Sequence, residues 1–339
     1  MKEFLKKTGL FLCLPALLLL MAIAGYFIFD PLKVIYHYNR FYTDETSINR
    51  DYVTTETFIQ NYRTEGYNSF VFGSSRAIGY NDDTWKQYLD KDAILFSFDS
   101  SAENISGIYR KIMLLDSLNV PIKNVLLLID TEPSFFITSN KGFHLTIKHP
   151  LLLGNSLKEW INFHEIHLSA YMNVKFLSSY YPHKLFGIDK NFTRKHRSRG
   201  VEVQYPSNWL KAPYLDKYIA KNPYYYQSSE FYERSSVGMS HRQPLITSKA
   251  REMLSGIKRI FVKHHTYYKV VVNPLYDQIN LHENDKVILE SIFGEENVYD
   301  FSGKNDFTKS KYNYYESSHF RPSVGDSIMR IIYDGDKDR

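Results

Sequence analysis

Apolar residues follow three patterns along the chain. The first is a block: Gly9 to Phe29 is 21 residues without a charge, and at 1.5 Å per residue such a helix crosses a hydrocarbon core about 30 Å thick. The second is a set of short runs. Ser69-Phe70-Val71-Phe72, stopped by Gly73, Ile94 to Phe98, Tyr268 to Asn273, closed by Pro274, and Val298 to Phe301 each predict a buried strand. Asn124 to Ile129 is continuously apolar, as strands of a parallel sheet covered on both faces are. The third is helical spacing. Ala102 to Leu118 carries Ile105, Ile108, Ile112, Leu115 and Leu118 three or four apart on one face. Asp82 to Leu89 (with Asp82 or Asp83 as N-cap), Ile246 to Lys263, Glu283 to Phe293 and Ser323 to Tyr333, which follows Arg321-Pro322, read the same way. Strands and helices alternate at 67–130 and again at 246–333. The expected fold is a three-layer α/β domain with a central parallel sheet of about five strands.

Between those halves the rhythm breaks. Residues 131–245 hold Pro150, Pro182, Pro206, Pro213, Pro223 and Pro244, many tyrosines, a helical stretch near Leu157 to Ser179, and the basic stretch Lys190 to Arg199. They read as a large insertion, of the kind that shapes a substrate groove or a partner surface. The basic stretch reads as a solvated loop, with contact to an anionic polymer or to lipid headgroups as the alternative. Residues 334–339 form a charged tail.

The N-terminus sets the expected compartment. Lys2, Lys6 and Lys7 precede the apolar block and Asp30 follows it, which predicts residues 1–8 in the cytoplasm, 9–29 as a transmembrane signal anchor, and the rest outside. A cleaved signal peptide is the rival, with Leu10 to Met21 as its apolar region and Ala22-Ile23-Ala24 as its cleavage site. The block is longer than such regions usually are, which favours the anchor. Residues 30–66, with Tyr36, Tyr38, Phe41 and Tyr42, read as a juxtamembrane segment: an interfacial aromatic belt and then a short helical lead-in.

Composition narrows the choice of chemistry. The net charge of +5 is too small to make nucleic acid the default partner. Cys13 is the single cysteine, so neither an internal disulfide nor a multi-cysteine metal site can form. His164-Glu165-Ile166-His167 offers two imidazoles without a third ligand and reads as a polar helix face. No metal and no cofactor is expected. The 28 tyrosines suit a sugar-binding surface, but a compositional bias toward Tyr, Asn, Lys and Ile is the better reading of them.

Two short stretches remain. In Val71-Phe72-Gly73-Ser74-Ser75-Arg76 a strand ends in a glycine and a hydroxyl, at the carboxyl edge where open α/β sheets bind ligands. In Glu316-Ser317-Ser318-His319, just before the last helix, a carboxylate three residues from an imidazole can orient the ring and leave its second nitrogen free to take a proton. In this order on this framework, the pair resembles the SGNH (GDSL-like) hydrolase superfamily, in particular its membrane-anchored DltD-type and alginate O-acetyltransferase-type branch. That branch pairs a Gly-x-Ser after the first strand with an Asp-x-x-His before the last helix. Phe96 to Ser101 and Val271 to Tyr276 extend the resemblance, which covers roughly 67–130 and 246–333.

The resemblance implies a flavodoxin-like three-layer domain over 67–333, with Ser75 as nucleophile, His319 as base and Glu316 where aspartate is usual. It implies an exported serine esterase or O-acyltransferase acting on an envelope or exported glycan, and a multi-span membrane acyltransferase as its partner. The sequence also departs from the pattern. Leu128 to Glu132 lacks the Gly-x-Asn whose asparagine donates to the oxyanion. The remaining oxyanion candidates are the backbone N–H groups of Ser75 and Ser101, with Arg76 as a further substrate-binding candidate. An SGNH-like envelope protein that has lost catalysis and binds a glycan or a partner protein is the alternative.

Overall fold

The computed structural model describes residues 1–41, 46–137, 143–188, 201–228, 230–234, 238–241 and 243–334. The basic stretch Lys190 to Arg199, Tyr42 and most of the charged tail lie outside the described residues.

Five strands form one parallel sheet: β1 (Ser69–Ser74), β2 (Leu95–Ser100), β3 (Asn124–Ile129), β4 (Tyr267–Val272) and β5 (Val298–Asp300), in the order β2-β1-β3-β4-β5. Each predicted strand is present within one or two residues. Alternation along β1 sends Phe70 and Phe72 to one face and Val71 to the other. The first face packs against α2 (Arg50–Glu65), α3 (Ile105–Ser117), α6 (Ser248–Lys263) and α7 (Glu283–Phe293); the second packs against α8 (Pro322–Asp334), Trp85 and Trp209. The α/β sheet is therefore covered on both sides, as its uninterrupted apolar strands require. The helix predicted from Asp82 is shorter, Asp82–Lys86, and its N-cap is Asn81, because Asp82 and Asp83 are already inside the first turn. α3 likewise starts three residues after the expected Ala102; Asn104 caps it, its side chain accepting the Gly107 N–H.

The N-terminal helix α1 (Lys2–Phe29) includes Phe11–Phe29, a stretch long and apolar enough to cross a membrane. It ends at Asp30, which adopts a left-handed conformation (φ 38°). The Asp30 carboxylate accepts the N–H groups of Val34, Ile35 and Tyr36 at 2.9–3.1 Å and the Tyr38 hydroxyl at 2.9 Å. This folds the chain back at the helix end. Residues 30–66 are thus less a surface belt than part of the domain. Phe41, Tyr52 and Val53 are buried with Tyr26 of α1 and with Phe163 and Tyr171 of α4 (Leu157–Tyr171). Among the described residues of the expected belt, Tyr36, Tyr38 and Phe41, only Tyr36 is substantially exposed.

Within the insertion, α4 leads into α5 (Val174–Phe186), which takes the helical stretch seven residues beyond the expected Ser179. Trp209 enters the core of the second sheet face and donates from Nε1 to the Tyr80 carbonyl at 2.7 Å.

A buried group of four charges joins the lead-in helix, the domain and the insertion. Lys111 Nζ lies 3.2 Å from Asp51 Oδ2 and 2.5 Å from Glu103 Oε2, while Lys148 Nζ lies 3.2 Å from Asp51 Oδ2 and also contacts Glu103 Oε1. Gly107 leaves the room they need: a Cβ there would stand 2.1 Å from Glu103 Oε1 and 2.6 Å from Lys148 Nζ. Burial acts to raise the Asp51 carboxyl, but the charges of Lys111 and Lys148 outweigh it and hold the group low. For Lys148, burial acts downward and the two carboxylates reverse it, so its ammonium titrates above the usual lysine range.

Candidate active site

Gly73 allows β1 to lie close to β3, since a Cβ there would stand 2.8 Å from Leu128 Cβ. Ser74 then caps the short 3-10 turn Ser75–Gly79, accepting the Arg76 N–H at 3.2 Å. Ser75 opens that turn at the carboxyl edge of the sheet. Ser74 pairs in register with Ser100 of β2, so Ser75 and Ser101 leave the sheet from adjacent strands at the same edge. The strand order reverses between β1 and β3. In parallel sheets of this order, the crevice outside the strand ends at that point is where ligands bind.

The second stretch comes from the far end of the chain. Tyr314–Glu316 and His319–Phe320 form a tight antiparallel ribbon in which Glu316 stands opposite His319. This pairing explains the three-residue spacing, because opposed positions of a ribbon project to the same side. Phe320 lies over the turn that carries Ser75: a Cβ on Gly79 would stand 2.2 Å from its ring. The first turn of α8 comes as close, since a Cβ on Gly325 would stand 1.9 Å from the Gly79 carbonyl oxygen. These close approaches seat the ribbon on the turn.

The outcome is a continuous chain of three side chains. Ser75 Oγ lies 2.8 Å from His319 Nε2, across 244 positions of sequence. His319 Nδ1 contacts Glu316 Oε1, and Glu316 Oε2 accepts the Ser318 N–H at 2.7 Å. Burial alone would raise the Glu316 carboxyl. The hydrogen bond from His319, its charge, the Ser318 N–H and Arg76 outweigh burial and hold it below the usual glutamate range, so it remains a carboxylate at neutral pH. A hydroxyl against an imidazole whose other nitrogen is held by a carboxylate is the geometry of a nucleophile activated by an oriented base. The extra methylene of glutamate is taken up within the ribbon.

Arg76 ties the two stretches together. Its Nη1 lies 2.8 Å from Asp130 Oδ2 and its Nε donates to the Ser318 carbonyl at 2.7 Å. Asp130 Oδ1 in turn accepts from Asn273 Nδ2 at 2.8 Å, and Asn273 Oδ1 accepts from the Tyr80 hydroxyl at 2.7 Å. Burial, reinforced by the Asp130 charge, pushes the Tyr80 phenol well above its ordinary value, so it stays a donor. Arg321 pairs with Asp216 at 2.9 Å, and Asp216 also accepts the Tyr315 hydroxyl at 2.9 Å. Sequence reasoning did not single out Asp130 or Asp216. A carboxylate directly after an apolar strand was a usable signal for the first. Nothing in the irregular insertion marked the second.

The bonds of Arg76 lead to a prediction. Arg76→Met loosens the ribbon from the turn, and a misplaced base costs about 10- to 100-fold in rate. The second-order rate of Ser75 modification by a fluorophosphonate falls by that factor, while the thermal melt moves little. An unchanged rate would show that Arg76 does not position the ribbon.

The His164–His167 segment is not the polar helix face expected: His164 is half-buried with its ring stacked on Trp160. His167 is fully buried, with Nδ1 on the Phe163 carbonyl at 2.8 Å. His264 closes α6 and bonds Asp116 at 2.7 Å. No protein-family model matches the chain, and no curated protein matches it.

Proposed function

We propose that this chain is an exported, membrane-anchored serine esterase or O-acyltransferase of the SGNH-like, flavodoxin-like type, acting on an envelope or exported glycan. The observation that carries the reading is the 2.8 Å approach of Ser75 Oγ to His319 Nε2, with Glu316 behind the ring. The strand order and the position of Ser75 at its switch point support it. The apolar helix α1 supports an anchor, and Lys2, Lys6 and Lys7 before it favour a cytoplasmic N-terminus with the domain on the periplasmic side or at the cell surface.

In the proposed reaction Ser75 Oγ attacks the carbonyl carbon of an ester and its proton passes to His319 Nε2. The tetrahedral oxyanion is met by backbone N–H groups at the strand ends, those of Ser75 and Ser101. Collapse expels the alcohol, which takes the proton from His319, and leaves the acyl group on Ser75. Water or a sugar hydroxyl then attacks the acyl carbon while His319 accepts its proton, and on collapse that proton passes to the departing Ser75 Oγ, which restores the serine and the neutral imidazole. Glu316 stays a carboxylate throughout and balances the imidazolium. Transfer rather than hydrolysis requires an acyl donor at the membrane, the role proposed for a multi-span acyltransferase partner.

The acyl-enzyme tests this directly. The full chain is mixed with p-nitrophenyl acetate, quenched in acid, and analysed by peptide mass spectrometry. One acetyl group on the Ser75 peptide, absent from Ser75→Ala, is expected. Hydrolysis of the ester that persists undiminished in Ser75→Ala, with no acetyl on Ser75, would refute the reading. It would favour the non-catalytic binding role.

A further inference from the structure

The α4–α5 hairpin makes contacts that the catalytic reading does not use. The Tyr171 hydroxyl, at the end of α4, donates to the Ala22 carbonyl of α1 at 2.7 Å and lies 2.5 Å from the Tyr181 hydroxyl of α5. Tyr181 fills the notch at Gly25, where a Cβ would stand 1.9 Å from its hydroxyl oxygen, and its ring meets Phe29 edge-on. The hairpin therefore grips α1 between Ala22 and Phe29, inside the stretch Phe11–Phe29 that is long and apolar enough to cross a membrane. At 1.5 Å per residue, Ala22 sits about 10 Å below the outer end of that stretch and Gly25 about 6 Å below it.

The apolar side chains of α5 continue on both sides of this crossing. Val174, Tyr181 and Leu185 are spaced seven and four apart and share one face. Tyr181 rests on α1, while Val174 and Leu185 at either end are 78% and 57% exposed. Phe27 and Ile28 of α1, at the same level, are likewise exposed. Lys175 and Lys184 flank the face by roughly 80–100° on opposite sides, where long cationic stems reach from an apolar bed to headgroups.

We propose that α5 is a second membrane element: it lies in the outer leaflet beside α1, with Val174 and Leu185, on either side of the Tyr181 contact, against acyl chains. The occupant is lipid because the face continues the surface of α1 at a depth of about 6–10 Å, the range in which interfacial helices lie. This rests on the reading of α1 as a membrane span. The consequence concerns the orientation of the domain. Arg50, at the start of α2, holds Asp99 at the carboxyl end of β2 at 2.5 and 2.9 Å, and the residues just before α2 are packed against the outer end of α1. A single helix would leave the domain free to swivel about its anchor. Two elements fix the carboxyl edge, with Ser75, toward the membrane surface.

The test uses the full chain with Cys13→Ser, in nanodiscs of phosphatidylethanolamine and phosphatidylglycerol. A nitroxide is placed in turn at Val174→Cys, Leu185→Cys, Leu20→Cys in α1 and Lys249→Cys in α6. Power saturation compares collision with oxygen, which partitions into lipid, and with a nickel chelate, which stays in water. Positions 174 and 185 should rank with 20, oxygen exceeding nickel, and 249 should show the reverse. Nickel access at 174 and 185, with 20 still in lipid, would overturn the proposal and leave the span intact. Nickel access at 20 as well would overturn the span and the proposal together. Neither reagent reaching 174 or 185 would mean protein covers the face, which also overturns it.

Discussion

His319→Ala lowers ester turnover by about 10³- to 10⁴-fold, the loss that follows when the base of such a unit is removed. His319 Nε2 is the group placed to take the Ser75 proton, and no second imidazole contacts Ser75 Oγ among the described residues. The double variant Ser75→Ala/His319→Ala should be no slower than either single variant, because the two side chains act as one unit. Glu316→Gln should fall between wild type and His319→Ala. It keeps the ribbon but loses the charge that balances the imidazolium. Initial rates on p-nitrophenyl acetate for wild type and the four variants decide the matter. A His319→Ala variant that retains more than a tenth of the activity would deny His319 its role.

The second large effect lies away from the site. Lys111→Met leaves Asp51 and Glu103 buried with one cation between them, and breaking such a pair costs about 3–5 kcal/mol. The pH dependence gives the loss a signature. In the wild type, Asp51 is held below its unfolded value, so its contribution is complete above about pH 4 and is lost as pH falls further. In Lys111→Met one carboxyl of the pair is pushed up instead. That group stabilises the fold only while protonated, so the variant loses stability as pH rises. Denaturant melts at pH 5 and pH 8 should therefore show a deficit that is larger at pH 8. Equal deficits at both would show that packing, not charge, accounts for the loss.

Those four charges also mark the limit of what the sequence made legible. Apolar periodicity placed all five strands and four of the flanking helices, α3, α6, α7 and α8, near their observed ends, because burial on one face or both leaves a period in the sequence. Ser75, Glu316 and His319 were legible for another reason: each is tied to a strand end or a helix start, and those landmarks are local. Lys111 was not legible. It sits one position before Ile112 on α3, and a lysine there ordinarily faces solvent. Its partner Asp51 lies 60 residues before it, and Lys148, which shares both carboxylates with it, lies 37 after it; only the folded chain shows that they converge. The lead-in helix was underestimated for the same reason. Asp51, Thr54 and Thr55 are fully buried by neighbours that no local pattern reveals. The insertion carries Trp209 into the core and Asp216 to Arg321 from short elements without a period.

The central claim is that residues 75, 316 and 319 form a working nucleophile. Its most direct test is labelling with a fluorophosphonate, which reacts with an activated serine and spares ordinary ones. The full chain is treated near neutral pH and the adduct is mapped by mass spectrometry. The account predicts a single adduct on Ser75, lost in Ser75→Ala and strongly slowed in His319→Ala. A folded protein that takes up no label, or one labelled equally well without His319, would contradict it.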